Sequence, residues 1–379
     1  MKKAINDMQE LNGKYTSAVI YSGSIEDYAL SQIQTLIDNP VFAGSKVRIM
    51  PDVHPGQIGP IGFTATVGSS IMPGIVGIDI GCGMTVASLK AGKPEFQRLD
   101  SVIRNAVPSG FQIRKAAHRF GSDFDYDRLL CAKHINRDKA ERSVGTLGGG
   151  NHFIELDMDK GGELWAVIHS GSRHLGKEVS EYYLNEGQKY WKSRNIKIPH
   201  ELTPLEGELM EAYVHDTIIV QEFAALNREA ILDELCRGMK WKILESRSCV
   251  HNYIDVSGTG MLIRKGAISA KDGEKVIIPI NMRDGVIIGT GKGNPDWNES
   301  APHGAGRIMK RSEVKQNYTV SAFKKEMRGI YSSRIGADTL DEAPIAYRGL
   351  DEIRTAVSDT VFVEDVLKPV YNFKAGSED

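Results

Sequence analysis

From Pro204 to Cys236 the chain reads PLEGELMEAYVHDTIIVQEFAALNREAILDELC. Leu209, Tyr213, Ile219, Phe223, Leu226, Ile231 and Leu235 recur at helical spacing, which predicts one long helix with an apolar stripe. A second helix is predicted over Glu178 to Arg194, and the two form a helical block over about residues 176–240. Short apolar runs of strand type lie before it at Ser17 to Tyr21, Val47 to Met50, Thr85 to Leu89 and Leu164 to Ile168. Two more lie after it, at Val276 to Ile280 and Val361 to Val366. A helical block inserted between two strand- and turn-rich halves predicts an α+β fold rather than a doubly wound sheet. Ser24 with Asp27 three residues on opens a shorter helix with Ile25, Leu30, Ile33, Leu36 and Ile37 on its apolar face, ended by Asn39-Pro40. With no repeat and no flexible linker, residues 1–379 are expected to fold together.

The composition bounds the class. Hydrophobic residues make up 41% and charged residues 25% of 379, as in an ordinary globular chain and unlike disordered or membrane proteins. Runs such as Val276 to Ile280 and Val286 to Ile288 fall far short of the roughly 20 residues that a membrane span needs. The start, Met1-Lys2-Lys3-Ala4-Ile5-Asn6-Asp7, carries no apolar stretch of a secretory leader, so a cytoplasmic location is expected. Cys82, Cys131, Cys236 and Cys249 are too few and too scattered for a disulfide framework and fit a reducing compartment. A net charge of -2 means that any nucleic-acid binding must use a local patch.

Glycine carries the functional signal. Of 39 glycines, many cluster around histidines and one cysteine. The segments are Pro51-Asp52-Val53-His54-Pro55-Gly56, Gly77-Ile78-Asp79-Ile80-Gly81-Cys82-Gly83-Met84, Gly148-Gly149-Gly150-Asn151-His152-Phe153, His169-Ser170-Gly171-Ser172-Arg173, His251-Asn252 and His303-Gly304-Ala305-Gly306-Arg307. Such turns let backbone approach a ligand closely while exposing N–H groups to an anion. A thiolate, a carboxylate and several imidazoles suit a borderline ion such as Mn²⁺, Zn²⁺ or Fe²⁺ better than Mg²⁺ or Ca²⁺. Arg173, Arg264, Lys265 and Arg307 add cations beside the same turns, and arginine grips phosphate oxygens bidentately. Metal plus arginine implies a phosphoryl substrate.

Blander readings hold elsewhere. Cys131 and Cys236 read as small buried hydrophobes. His118, His134, His200 and His215 lack flanking glycines and read as structural or surface residues. Lys310, Arg311, Lys324 and Lys325 read as surface ion pairs, and Arg114-Lys115-His118-Arg119 as a solvated helix face. Any single one of His152, His169 and His251 would read as structural too, for none forms a short ligand motif. Their shared context reverses that reading, because ordering Gly-Gly-Gly-Asn-His costs roughly 0.5 to 1 kcal/mol per glycine relative to alanine.

As a set, Asp-Ile-Gly-Cys-Gly, Gly-Gly-Gly-Asn-His-Phe-Ile-Glu, His-Ser-Gly-Ser-Arg, His-Asn-Tyr, Arg-Lys-Gly-Ala and His-Gly-Ala-Gly-Arg closely resemble the RtcB RNA ligases. The match keeps the family's order from about Pro51 to Lys374 and includes Asp341-Glu342-Ala343-Pro344 and Leu367-Lys368-Pro369. The resemblance implies one RtcB-like catalytic domain with a glycine-rich, strand-rich core. It implies an enzyme that joins an RNA 3′-phosphate or 2′,3′-cyclic phosphate to a 5′-hydroxyl, using GTP and two Mn²⁺ ions. It places Cys82 as the thiolate bridging both metals, Asp79 and His152 on one ion, and His169 and His251 on the other. His303 resembles the nucleophile that carries GMP, which then passes to RNA as an RNA(3′)pp(5′)G end. Asn151, Phe153, Glu155, Gly304, Ala305, Gly306 and Lys374 match nucleotide-binding positions, with Asn281 and Met282, like Asp52, as weaker carry-overs. Arg173 and Arg307 match RNA-phosphate contacts. RNA with such ends is the implied partner, an accessory activator protein is a further one the resemblance admits, and no membrane is involved.

Departures mark a divergent branch, for RNA repair or tRNA splicing. After Pro279, family members carry Gly-Ser-Met and then a Ser-Tyr pair. This chain reads Ile280-Asn281-Met282 and then Val286-Ile287, so a guanine-side hydroxyl contact is lost. Glu299-Ser300-Ala301-Pro302 replaces the usual lead-in to the nucleophile, and His174 follows Arg173. The alternative is a metal-dependent phosphoesterase acting on RNA ends without nucleotide transfer, against which the retained His303 counts. A non-catalytic RNA-binding protein would be expected to have broken metal ligands and aromatics along a basic stripe.

Overall fold

A computed structural model describes residues 8–374. Two sheets carry the architecture. The larger has seven strands, all antiparallel, in the spatial order Lys242–Val250, Gly83–Lys90, Leu164–Ser170, Phe153–Met158, Val361–Lys374, Gly285–Gly291 and Lys275–Asn281. The smaller has six, in the order Gln9–Asn12, Ser17–Ile20, Val47–His54, Ile61–Thr66, Leu262–Lys265 and Asn252–Asp255. Only Ser17–Ile20 and Val47–His54 run parallel in it. Helices and antiparallel strands are thus segregated, and the α+β expectation holds.

The block between the halves is helical as expected, with shifted ends. The long helix spans Gly207–Met239 and its neighbour Arg173–Ser193. Met210, Tyr213, Ile219, Val220, Phe223 and Ala230 join one apolar cluster with the smaller sheet, while Ile231, Leu232, Leu235 and Met239 join another with the larger. Each such fully buried side chain contributes about 1.5–3 kcal/mol, so this one helix binds the two halves together. The first helix, Asp27–Ile37, starts after Glu26 with no side-chain cap, so Ser24 does not cap it.

A buried cation locks the long helix to the sheet. Arg228 is fully buried and donates to the carbonyls of Gly81 (3.0 Å) and Ser170 (3.1 Å), and to the hydroxyls of Thr85 and Ser248 (3.1 Å each). Its five-donor fork suits this task because four acceptors on three strand segments lie around it. Arg114 and Arg119 also turn toward this helix, pairing with Glu234 and Asp233 at 2.7 Å each. His118 is buried and caps a short helix through Phe120 N–H, and Arg114 is largely covered, whereas Lys115 and Arg119 are exposed as a solvated face requires. No described helix is long and apolar enough to cross a membrane.

Candidate metal and nucleotide site

Several strands of the larger sheet meet at one edge, and the glycine-flanked residues sit at their junctions. Gly83 pairs with both Ser170 and Val250, and Phe153 with both His169 and Lys374. This register places Cys82 just before one strand, His152 just before another, His169 near the end of a third and His251 just after a fourth. The turn carrying Asp79 and Cys82 is pinned where Gly81 N–H donates to Asn252 O (2.8 Å). Gly81 has φ +75°, and a side chain there would press on Gln221 and Ala224 of the long helix at 2.9 Å, so glycine is required.

The histidine tautomers follow from their partners. His152 Nδ1 contacts Leu147 O (2.8 Å) and His169 Nδ1 contacts Asn151 O (3.1 Å). A carbonyl can only accept, so each Nδ1 carries the hydrogen and each Nε2 a lone pair. Both Nε2 atoms lie 3.4 Å from Cys82 Sγ, and His169 Nε2 lies 3.3 Å from His251 Nε2. Asp79 Oδ2 stands 3.2 Å from His152 Nε2. Electron-rich atoms therefore crowd together with few protons to separate them.

The local electrostatics point the same way. Burial holds the His169 and His251 rings well below the usual imidazole range, with neighbouring histidines adding to the effect, so both are neutral donors of electron pairs. Burial also pushes the Cys82 thiol well up, helped by the charge of Asp79. Burial opposes ionisation of Asp79, yet its polar neighbours and the charge of Arg173 hold the carboxyl below the ordinary carboxylate range. A partly exposed carboxylate, neutral imidazoles and a thiol that needs a cation to ionise are the donor set of a borderline metal. Cys82, His152 and His169 form a group able to hold an ion, their ligand atoms all within 4.8 Å of one another. Asp79 and His251 border it through the contacts above.

His303 stands beside this cluster. Its ring centroid lies 4.8 Å from that of His251, and its Nδ1 is 2.7 Å from Oδ2 of the fully buried Asp52. The carboxylate takes the Nδ1 hydrogen and leaves Nε2 with its lone pair. Gly306, at φ +69°, lets the following turn pass close to Asp52, where a side chain would strike the Asp52 carbonyl.

One cavity opens on His303, His169 and His251 and includes Asn151, Phe153, Glu155, Asn281, Met282, Gly304, Ala305, Gly306, Arg307 and Lys374 in its wall. These are the expected nucleotide positions with Arg307. A second cavity holds Asp79, His152 and Arg173 with His174, Lys139, Lys177 and Phe111, and Asn151 borders both. The two expected phosphate-binding arginines thus face different cavities. Arg173 spends its Nη2 on Gly110 O (3.1 Å) and its Nε on Thr146 Oγ1 (3.3 Å), and Nη1 has no hydrogen-bond partner among the described residues. Arg307 has donors engaged by Met309 O (3.2 Å), Tyr347 Oη (2.9 Å) and Asp341 O (2.5 Å), so it enters as a fixed charge rather than a free fork.

Other expected residues have structural duties as well. Asn281 Oδ1 accepts the N–H groups of Arg283 and Asp284 and closes a hairpin turn, while Met282 is buried against Phe323 and Met327. Lys374 Nζ pairs with buried Glu342 at 2.5 Å. Arg264 is buried against Asp255 (2.5 Å), away from either cavity wall, and is structural. Lys265 is buried near Asp79, and burial brings its amine down to about 8.

Asp52, a weak expectation, is the direct partner of His303. Arg311 forms the ion pair expected of it, with its side chain 48% exposed, but its partners Asp341 (2.5 Å) and Glu342 are buried and it lines the cavity that opens on His303. Tyr347 lines it too and was missed, having no glycine or histidine beside it. Glu342 was read only as part of a motif, and nothing local marks its burial; burial opposes its ionisation, but Lys374, Arg311 and Arg307 hold it well below the usual range.

The family described as tRNA-splicing ligase RtcB matches residues 32–375. RNA-splicing ligase RtcB of Escherichia coli K12 is 30% identical over 367 residues, covering 87% of this chain and 90% of that protein. RNA-splicing ligase RtcB1 of another Escherichia coli strain is 31% identical with the same coverage. The tRNA-splicing ligase RtcB of Pyrobaculum aerophilum is 25% identical, over 84% of this chain and 85% of its own length. On this match and these motifs, the chain belongs to the RtcB family.

Proposed function

We propose that the protein is an RNA ligase that joins an RNA 3′-phosphate or 2′,3′-cyclic phosphate end to a 5′-hydroxyl, consuming GTP through a GMP adduct on His303. One observation carries the reading: a histidine whose Nδ1 is held by a fully buried carboxylate at 2.7 Å, beside a cluster of metal-capable side chains. The held Nδ1 hydrogen leaves Nε2 with a free lone pair, which nucleotide transfer through a histidine adduct requires.

The chain's residues divide the work. His303 Nε2 attacks the α-phosphorus of GTP, and the bond to pyrophosphate breaks. Asp52 keeps the Nδ1 hydrogen in place and offsets the positive charge that the ring acquires. An RNA 3′-phosphate oxygen then attacks the same phosphorus, the P–N bond breaks, and RNA(3′)pp(5′)G forms. A 5′-hydroxyl attacks the RNA phosphorus and GMP leaves. Asp79, Cys82, His152, His169 and His251 would hold two Mn²⁺ ions, which when bound supply positive charge against the phosphoryl oxygens. Phe153, Glu155 and Lys374 form the nucleotide wall with Asn281, Met282 and the turn Gly304 to Gly306. Asn151, between the cavities, is suited to touch the nucleotide, and Arg173 Nη1, without a hydrogen-bond partner among the described residues, is placed to donate to an RNA phosphate. The cytosol is the compartment in which the Cys82 thiol would stay available to a metal.

The test is to incubate the protein with Mn²⁺ and α-labelled GTP, then offer a 3′-phosphate RNA. Wild type should take up label and pass it to the RNA, and His303→Ala should take up none. Equal labelling of the two would end the ligase reading.

A further inference from the structure

If ligation runs as proposed above, its three steps differ in their proton demand. Attack by His303 Nε2 releases no proton, because the Nδ1 hydrogen stays on the ring, donated to the Asp52 carboxylate. Attack by a 3′-phosphate oxygen releases none, since that oxygen is already anionic. Only the 5′-hydroxyl must shed a proton as it bonds to phosphorus, so a base belongs at the joining step.

Few groups on the cavity wall are free to serve. Glu342 is bound by Lys374, Arg311 and Tyr347. Glu155 accepts from Asn372 (2.5 Å), and Asp52 holds His303. His169 and His251 belong to the metal-capable cluster. His54 is different. It ends the strand that carries Asp52, is half-buried, and lines the same cavity as His303. Its Nδ1 donates to Asp52 O (2.9 Å), so the neutral ring keeps its lone pair on Nε2, which has no hydrogen-bond partner among the described residues. Burial brings the ring down to about 4 against the pull of Asp52, with His303 and Arg307 adding to the fall. It is therefore unprotonated at neutral pH, and an incoming polyphosphate end raises its proton affinity when it arrives.

We propose that His54 is the general base of the joining step. The O–H bond of the RNA 5′-hydroxyl breaks and its proton goes to His54 Nε2. The oxygen bonds to the 3′-phosphorus, the bond from that phosphorus to the bridging oxygen breaks, and GMP departs with the electron pair. His54 then returns the proton to solvent. This role rests on the GMP-transfer reading, and the experiment separates the two.

Two variants are needed. In His54→Asn the amide can keep the bond to Asp52 O while Nε2 is lost, and in His54→Ala added imidazole can fill the gap. Both should take up GMP label from α-labelled GTP and form RNA(3′)pp(5′)G. Joining of purified RNA(3′)pp(5′)G to a 5′-hydroxyl strand should fall about 100-fold or more, the usual scale of a general base. Imidazole should restore part of the rate in His54→Ala alone. Joining at the wild-type rate overturns the assignment, and so does loss of label uptake and joining together. A wild type that takes no label removes the ligase reading and this role with it.

Discussion

Replacing Asp52 by asparagine keeps the shape of the side chain and removes its charge. Two effects follow. The amide can present its NH₂ to His303 Nδ1, which moves the ring hydrogen to Nε2 and blocks the nucleophile. It also withdraws the negative charge facing the ring once GMP is attached. Unit charges at the 2.7 Å separation seen here attract by about 6 kcal/mol at an effective dielectric of about 20. That is an upper bound, because the amide oxygen can still accept a hydrogen bond. A loss of about 3 to 6 kcal/mol in the first step corresponds to about a 10²–10⁴-fold slower transfer. Folding should not suffer, for Asp52 Oδ1 is buried with no hydrogen-bond partner among the described residues and an uncharged group is easier to bury. The assay is single-turnover uptake of label from α-labelled GTP, with thermal melting as control. An Asp52→Asn variant that labels at the wild-type rate would show that the carboxylate does not orient His303.

Two further outcomes are expected. Arg228→Met should lower the unfolding free energy by about 3–5 kcal/mol, because four acceptors lose a charged donor together; a denaturant midpoint unchanged from wild type would refute its role as the tie between helix and sheet. Burial raises the Glu155 carboxyl to about 7, with Asn372 and Lys374 opposing, so the folded state favours its protonated form. That contribution is whole below about pH 4.5, is lost as pH rises through about 7, and has an upper bound on the order of 3 kcal/mol. Glu155→Gln should therefore melt at higher temperature than wild type at pH 8 and show less difference at pH 4; the reverse ordering would count against it.

Much of this molecule was legible from residue order alone, for reasons that differ by element. The long helix was read to within three residues at either end because its apolar stripe runs almost its whole length. The neighbouring helix starts at Arg173, five residues before its expected beginning, since its first turn is polar and carries no periodic signal. The last strand was read only to Val366. It continues to Lys374 because Pro369 is accommodated at a bulge between Pro369 and Tyr371. The edge strand Lys242–Val250 went unread, since most of its residues are exposed and polar. At the site, glycine-flanked residues were found because tight backbone leaves a mark in sequence. Glu342 and Tyr347 were not, because a carboxylate paired inside a cavity and one paired on the surface look alike in sequence, and nothing beside Tyr347 marks it.

The final strand, Val361–Lys374, lies between Phe153–Met158 and Gly285–Gly291, with three strands of the sheet beyond the first and one beyond the second. During synthesis these flanking strands emerge well before the piece that joins them. A chain that stops short of Val361 would hold every cluster ligand and His303, yet lack the span connecting the two parts of the sheet. Premature termination should therefore leave unassembled halves rather than a fragment that consumes nucleotide without sealing RNA.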